Sequence, residues 1–366
     1  MKNRVFFYIA LLFLVVSGDL FSQGIMIDHS CAKLSPIPES AILNAKQVLH
    51  IAYGHTSHGS QLITGMTGLI GQTSLTGYKG DIYQWNEGGV GGALDIDDEF
   101  APGDLGHNGD IQWATYTRSY LDDPANSEVN VIIWSWCGGC SDNTPGGIQT
   151  YLNTMNQLEL EYPDVTFVYM TGHLDIWADA ILKANNQQIR DYCISNNKVF
   201  YDFADIESYN PDGNYYQYAT DNCDYYSSPG GTFLGNWATE WQNSHTEGVD
   251  WYNCSAAHTE ALNGNLKAYA AWWLWCRIAG WNGVTGIEDI RDDHAVVLFP
   301  NPAPAFFVIN GTTAIDHVDI FFQTGKLLQR INRPEMPVDI STWADGIYFV
   351  KINTDKGYIF KKVIKK

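Results

Sequence analysis

The chain has 366 residues, with 21 Lys and Arg against 41 Asp and Glu, a net charge of −20, and 14% aromatic residues. Only nine of the basic residues lie between 24 and 290. So acidic a stretch, with no basic stripe, excludes a nucleic-acid-binding protein and one that docks on anionic membranes.

At the start, Lys2 and Arg4 precede an apolar run from Val5 to Val16, followed by Ser17, Gly18 and Ser22. This order predicts a secretory signal peptide over 1–23, too short for a spanning helix. A first strand is expected over 48–53, closed by Gly54, and a helix over 61–70 with Leu62, Met66 and Leu69 on one face. The nearly unbroken apolar run 129–136 predicts a strand buried on both faces. Pro145 opens a helix through Leu158, a third strand spans 165–170, a helix 181–194 and a fourth strand 199–203. The stretch 205–253 reads as an irregular loop rich in Asn, Asp, Gly and Tyr, before a last apolar helix over 257–279. Alternating strands and helices predict one α/β domain over 24–290, a parallel sheet covered by helices on both faces. A short linker near 283–293 leads to a tail over 296–366. There Val318, Ile320 and Phe322 alternate, Thr324-Gly325 and Asp355-Lys356-Gly357 turn the chain, and Gly346–Val350 forms another strand. Period-two patterning between such turns predicts a small C-terminal antiparallel β-sandwich.

All seven cysteines lie beyond the signal peptide. An exported chain permits disulfides, and a Cys223–Cys254 bridge closing the long loop is the expected one. Cys137-Gly-Gly-Cys140 has the spacing of half a zinc knuckle, but no second such pair exists. Twelve of the 13 tryptophans lie before the tail. The bland reading, core packing, covers Trp272, Trp273 and Trp275; exposed rings among the rest would suit the C–H faces of sugars.

In parallel sheets chemistry gathers at the carboxyl ends of strands. Four polar clusters follow strands or precede helices there: Gly54-His55-Thr56-Ser57-His58, Cys137-Gly138-Gly139-Cys140, Gly172-His173-Leu174-Asp175, and Cys254-Ser255-Ala256-Ala257-His258.

The tail, with its Phe299-Pro300-Asn301-Pro302 opening, Gly325-Lys326 turn, Gly346-Ile347-Tyr348 strand and lysine-rich end, resembles the C-terminal sorting domain of the bacterial type IX secretion system. That resemblance implies secretion or attachment at the cell surface and a partner in the secretion machinery. The body resembles the SGNH (GDSL-like) hydrolases, which have a flavodoxin-like fold and include carbohydrate deacetylases. There a serine follows the first strand in a Gly-Asp-Ser turn, where this chain has Gly54-His55-Thr56-Ser57. Cys137-Gly138-Gly139 stands in place of a Gly-x-Asn-Asp turn, and Ser255-Ala256-Ala257-His258 in place of Asp-x-x-His. The resemblance implies Ser57 as nucleophile, His258 as base, and oxyanion or substrate contacts from Gly91, Gly138, His55, His58 and His173. Asp175 or Asp250 would orient His258 in place of the missing aspartate. The expected activity is hydrolysis of esters on an extracellular polysaccharide, without a cofactor.

Other readings stay open on the residues themselves. Ser57 is equally a helix N-cap, and His258 a structural hydrogen-bonder. His55, His58, His173 and His258 with Asp175 offer enough donors for a zinc ion, and Asp202, Asp205, Glu207 and Asp212 offer carboxylates for calcium. A lyase using tyrosine and histidine, or a non-catalytic glycan-binding protein with a degraded site, would also suit the composition.

Overall fold

A computed structural model describes residues 24–283, 297–310, 315–322, 327–332, 336–354 and 357–366. The expected signal peptide, most of the linker and the turns at Thr324-Gly325 and Asp355-Lys356 lie outside these residues.

The body is built on seven strands: β1 (Met26–Ile27), β2 (His50–Gly54), β3 (Trp85–Asn86), β4 (Leu94–Asp98), β5 (Val131–Trp134), β6 (Thr166–Met170) and β7 (Val199–Tyr201). All pair in parallel, in the order β1-β7-β6-β5-β2-β4-β3. Between and after them run α1 (Glu39–Val48), α2 (Ser60–Leu69), α3 (Gln112–Leu121), α4 (Gly139–Asp142), α5 (Pro145–Glu161), α6 (Asp179–Ser195), α7 (Phe203–Ile206), α8 (Trp237–Ser244) and α9 (Ala261–Ile278). One helical layer packs α1, α2 and α8 around α9, and the other packs α3 and α6 against α5. Every residue of β5 is buried, as its Val-Ile-Ile-Trp run requires of a central strand covered on both sides. The Thr144 hydroxyl accepts from Gly147 N at 3.1 Å and Pro145 occupies the first turn, which fixes the start of α5.

The expected α/β architecture is present, and its parallel sheet has three more strands than the periodicity announced. β4 was hidden because its Leu-Asp-Ile-Asp-Asp sequence is mostly acidic; only Leu94 and Ile96 face the core. The supposedly irregular stretch 205–253 is corrected. It holds the end of α7, a hairpin of β8 (Asp224–Tyr226) and β9 (Phe233–Asn236), and α8. Trp237 and Trp241 on α8 are buried, so this region is pinned by tryptophan packing rather than by a staple. The expected Cys223–Cys254 bridge is likewise corrected, for all seven cysteines are free thiols. Cys223 Sγ lies 3.3 Å from Thr259 Oγ1, whereas Cys254 Sγ faces Ala261 O at 3.5 Å and Asn265 Nδ2 at 3.6 Å. The two sulfurs turn to different partners, and burial pushes their thiols up to about 12 and about 11.

The tail forms strands β10 (Val297–Phe299), β11 (Phe306–Asn310), β12 (Ile315–Phe322), β13 (Leu327–Asn332), β14 (Val338–Asp339), β15 (Gly346–Thr354) and β16 (Gly357–Lys365). They pair antiparallel as two sheets, β10-β11-β14 and β13-β12-β15-β16. Leu298 and Phe307 from one and Val318, Ile320, Val350 and Val363 from the other share a single core, separate from that of the body.

Candidate active site

The chain adds β5, β6 and β7 on one side of β2 and β4 and β3 on the other. The two directions part between β2 and β5, where loops leave the sheet on opposite faces and open a crevice. The sequence supplies a polar loop at each of these two strand ends.

After β2 the chain turns sharply through His55–Gly59 into α2. The Tyr53 hydroxyl donates to Gly59 O at 2.9 Å, and the Ser60 hydroxyl donates to Ser57 O at 2.7 Å. Only glycine fits at position 59, because a Cβ there would lie 2.1 Å from Ser135 Oγ and 2.4 Å from His55 Cβ. After β5, the buried Trp136 ring donates to Met170 O at 2.9 Å and anchors the next residue, Cys137, at the rim. Gly138, at φ +82°, lets the chain reverse into α4.

These turns bring three side chains into line. Cys137 Sγ lies 3.1 Å from His58 Nδ1 and 3.3 Å from Ser57 Oγ, and His58 Nε2 lies 2.9 Å from Asp221 Oδ2. The hydrogen bond from His58, helped by those from Ser57, Thr56 and the His58 backbone, outweighs burial and holds the Cys137 thiol down at about 6. Burial alone would lower His58, but its bonds to Asp221 and Cys137 win and raise it to about 9. Burial likewise opposes the Asp221 charge, yet the His58 bond keeps that carboxyl below its ordinary value. At neutral pH the arrangement is a thiolate–imidazolium pair oriented by a carboxylate, the constellation of an activated nucleophile.

Two further histidines stack on this one. The His173 ring lies 3.6 Å from His58, tilted by 2°, and the His258 ring lies 4.4 Å away, tilted by 11°. His173 Nδ1 donates to Leu174 O at 2.9 Å, so its Nε2 is the acceptor for Gly138 N at 3.1 Å. His258 is exposed and holds φ +61°, a left-handed conformation that a histidine keeps only where its surroundings impose it.

Of the sequence-derived site residues, Ser57, His58, His173, His258 and Gly138 meet here. Ser57 Oγ has the Cys137 sulfur as its partner, not His258. The Asp175 carboxylate accepts from Trp177 N at 3.0 Å and starts a 3-10 turn, and Asp250 accepts from Thr246 N at 2.9 Å; neither orients His258. The Gly138 N–H is committed to His173. Gly91 belongs to a segment tied to Asp95 at the amino end of β4, away from the rim. His55 directs its nitrogens to Thr56 O at 3.0 Å and Asp98 Oδ1 at 2.7 Å, bracing the turn from beneath. What the sequence reading missed is the pairing of Cys137 with His58 and the distant Asp221 on the other side of that histidine. Cys137 was legible as a cysteine just past a buried strand; Asp221 carries no local signal.

His58, His173 and Asp221 stand close enough together to suggest a metal centre. The donors do not fit one. In-plane lone pairs of two parallel stacked rings do not converge on an ion, and all four ring nitrogens already have protein partners. The carboxylates considered for calcium are also apart: Asp202 pairs with Arg190, Glu207 with Lys267 and Asp205 with His29, and Asp212 accepts from Trp241. Asp28, His29 and Asp205 form a separate group at the ends of β1 and β7.

Beside Ser57 opens a cleft of about 600 Å³ lined by His55, Thr56, Ser57, Ser60, Glu99 and Ala257 among others, with no Lys or Arg in its wall.

Residues 297–366 match the family model described as a secretion system C-terminal sorting domain. The protein is sorted for secretion or to the cell surface. No curated protein matches the chain. Among solved structures it is similar to a candidate acylhydrolase from Bacteroides fragilis, at 10% identity and a TM-score of 0.27, over 59% of this chain and 90% of that one. A Cellulomonas fimi endo-β-1,4-mannanase double mutant aligns at 14% identity and a TM-score of 0.21, over 75% of this chain and 54% of the mannanase. Likenesses this distant carry no argument about chemistry. Among the described residues no helix is long and apolar enough to cross a membrane.

Proposed function

We propose that the protein is a secreted hydrolase of acyl esters, with Cys137 as nucleophile, His58 as acid and base, and Asp221 as the orienting carboxylate. The observation that carries this reading is the Cys137–His58–Asp221 alignment at the switch point of the sheet. The thiolate attacks the ester carbonyl carbon, and the C–O bond to the alcohol breaks as the His58 imidazolium gives that oxygen its proton. The resulting thioester is cleaved by water, which loses its proton to His58; the carboxylic acid leaves and the thiolate–imidazolium pair is restored. The Ser57 hydroxyl, beside the sulfur, is placed to hydrogen-bond the oxygen on which charge develops. The order β4-β2-β5-β6-β7 also supports the SGNH-like scaffold expected from the sequence.

Two observations support a substrate class, the cleft and Trp177. With Glu99 in its wall and no cation, the cleft favours neutral chains over uronate-rich ones. Trp177 is 82% exposed on the 3-10 turn just beyond His173, where its face is free to stack on a sugar ring. An acylated neutral polysaccharide is therefore the proposed substrate.

A second reading keeps Ser57 as the nucleophile, favoured by its position after β2, with Cys137 only a neighbour. Acid release from acetylated polysaccharide and from a small acetyl ester separates the two. Cys137→Ala is expected to lower turnover by about 10³-fold or more and Ser57→Ala far less, with iodoacetamide inactivating the native protein. An active Cys137→Ala protein beside a dead Ser57→Ala one would transfer the role to serine.

A further inference from the structure

The middle of α9 carries a charge that its surroundings do not call for. From Ala261 to Cys276 every residue of the helix is buried, and among its apolar side chains stands Lys267, fully enclosed. Its ammonium lies 2.5 Å from Glu207 Oε1, also fully buried, contacts Gln61 Oε1, and sits 4.0 Å above the Phe203 ring. Enclosing such a pair is costly, and a well-packed apolar replacement is often as stable or more so. Stability therefore gives a weak reason for it.

Its other connections give a stronger one. Glu207 Oε2 accepts from Leu174 N at 2.7 Å, next in the chain to His173. Gln61, one helical turn beyond His58, donates from Nε2 to Ala257 O at 2.5 Å, next to His258. The three loops whose histidines stack on one another are thus tied, each within three residues of its histidine, to a single buried ammonium. We propose that Gln61, Glu207 and Lys267 are positioning residues that hold the His58, His173 and His258 loops in register over Cys137. None of the three touches the cleft. They act through the loops, so that His58 meets the sulfur on one side and Asp221 on the other. The inference rests on the Cys137–His58 reading of the site, although its decisive test needs no substrate.

The test is the pH profile of Cys137 alkylation by iodoacetamide, read on the peptide carrying that cysteine, in the full chain and in three variants. These are Gln61→Leu, Glu207→Gln, and Glu207→Gln with Lys267→Met, the last leaving no unpaired buried charge. Folding is checked by circular dichroism and thermal midpoint. In folded variants the alkylation midpoint is expected to move from about 6 toward the ordinary thiol value of 9.0. Ester turnover should fall about 10- to 100-fold through kcat with little change in KM, as for a displaced catalytic group. A merely structural role would lower the thermal midpoint and leave the profile where it was. If Glu207→Gln fails to fold, Gln61→Leu decides, since it keeps the Glu207–Lys267 ion pair and removes only the bonds from Gln61 to Lys267 and to Ala257 O. Folded variants with the native alkylation profile and native kcat would overturn the proposal. If the native protein hydrolyses no ester, the proposed function fails, and the alkylation profile still decides whether these residues set the Cys137–His58 geometry.

Discussion

Cys137 and His58 behave as one titrating unit, because each owes much of its shift to the other. The sign of each shift fixes the active window. Cys137 is depressed, so its thiolate exists above about 6; His58 is raised, so its proton persists to about 9. A bell-shaped kcat/KM profile between those limbs is expected, and a single sigmoid would contradict the pair. Asp221→Asn removes the charge that supports the imidazolium. It should draw the alkaline limb to lower pH and cost roughly 10² to 10⁴-fold in kcat, by analogy with other triads. Trp177→Ala tests the glycan instead. KM should rise several-fold on polysaccharide and stay unchanged on a small ester, and a loss on both would remove the sugar-stacking role.

Among the elements, the turn from β2 into α2 is the most tightly specified. Gly59→Ala would drive a methyl into Ser135 Oγ and His55 Cβ, 2.1 Å and 2.4 Å from where it must stand. A cost of about 1–3 kcal/mol in urea unfolding is expected, together with lost activity as His58 shifts. The 205–253 region makes a different prediction. Since α8 is held by Trp237 and Trp241 and not by a disulfide, reducing agent should leave its thermal midpoint unchanged, and peptide mapping should find Cys223 and Cys254 as free thiols. A bridged peptide would show that the tryptophan packing does not suffice.

At the scale of the molecule, the described residues form two hydrophobic cores that divide the work. One surrounds the seven-stranded sheet and the other fills the sorting domain. Deleting residues 297–366 should therefore leave a folded body with native ester turnover that is no longer delivered outside the cell. Fractionation of the native host checks the delivery, and an assay on the retained protein checks the body. The acidity belongs to the body and the lysine-rich end to the tail, so the deletion also leaves the acidic part of the chain by itself.

Export, the alternation of strand and helix, and the rim on which polar groups gather were determined by the sequence alone. Signal-like patterning, apolar runs such as Val131–Trp134 and the Pro145 helix start are local physics, readable within a dozen residues. The residues that combine into the proposed reactive centre were not. Cys137 and Ser57 are 80 positions apart and Asp221 is 163 from His58, so only the sheet order and the crossing of its loops could set them side by side. Each of these contacts is worth little until the strands have chosen their neighbours. Tertiary structure therefore decided that a cysteine, not only a serine, stands at the switch point, and that the aspartate facing its histidine comes from a stretch with no periodicity of its own.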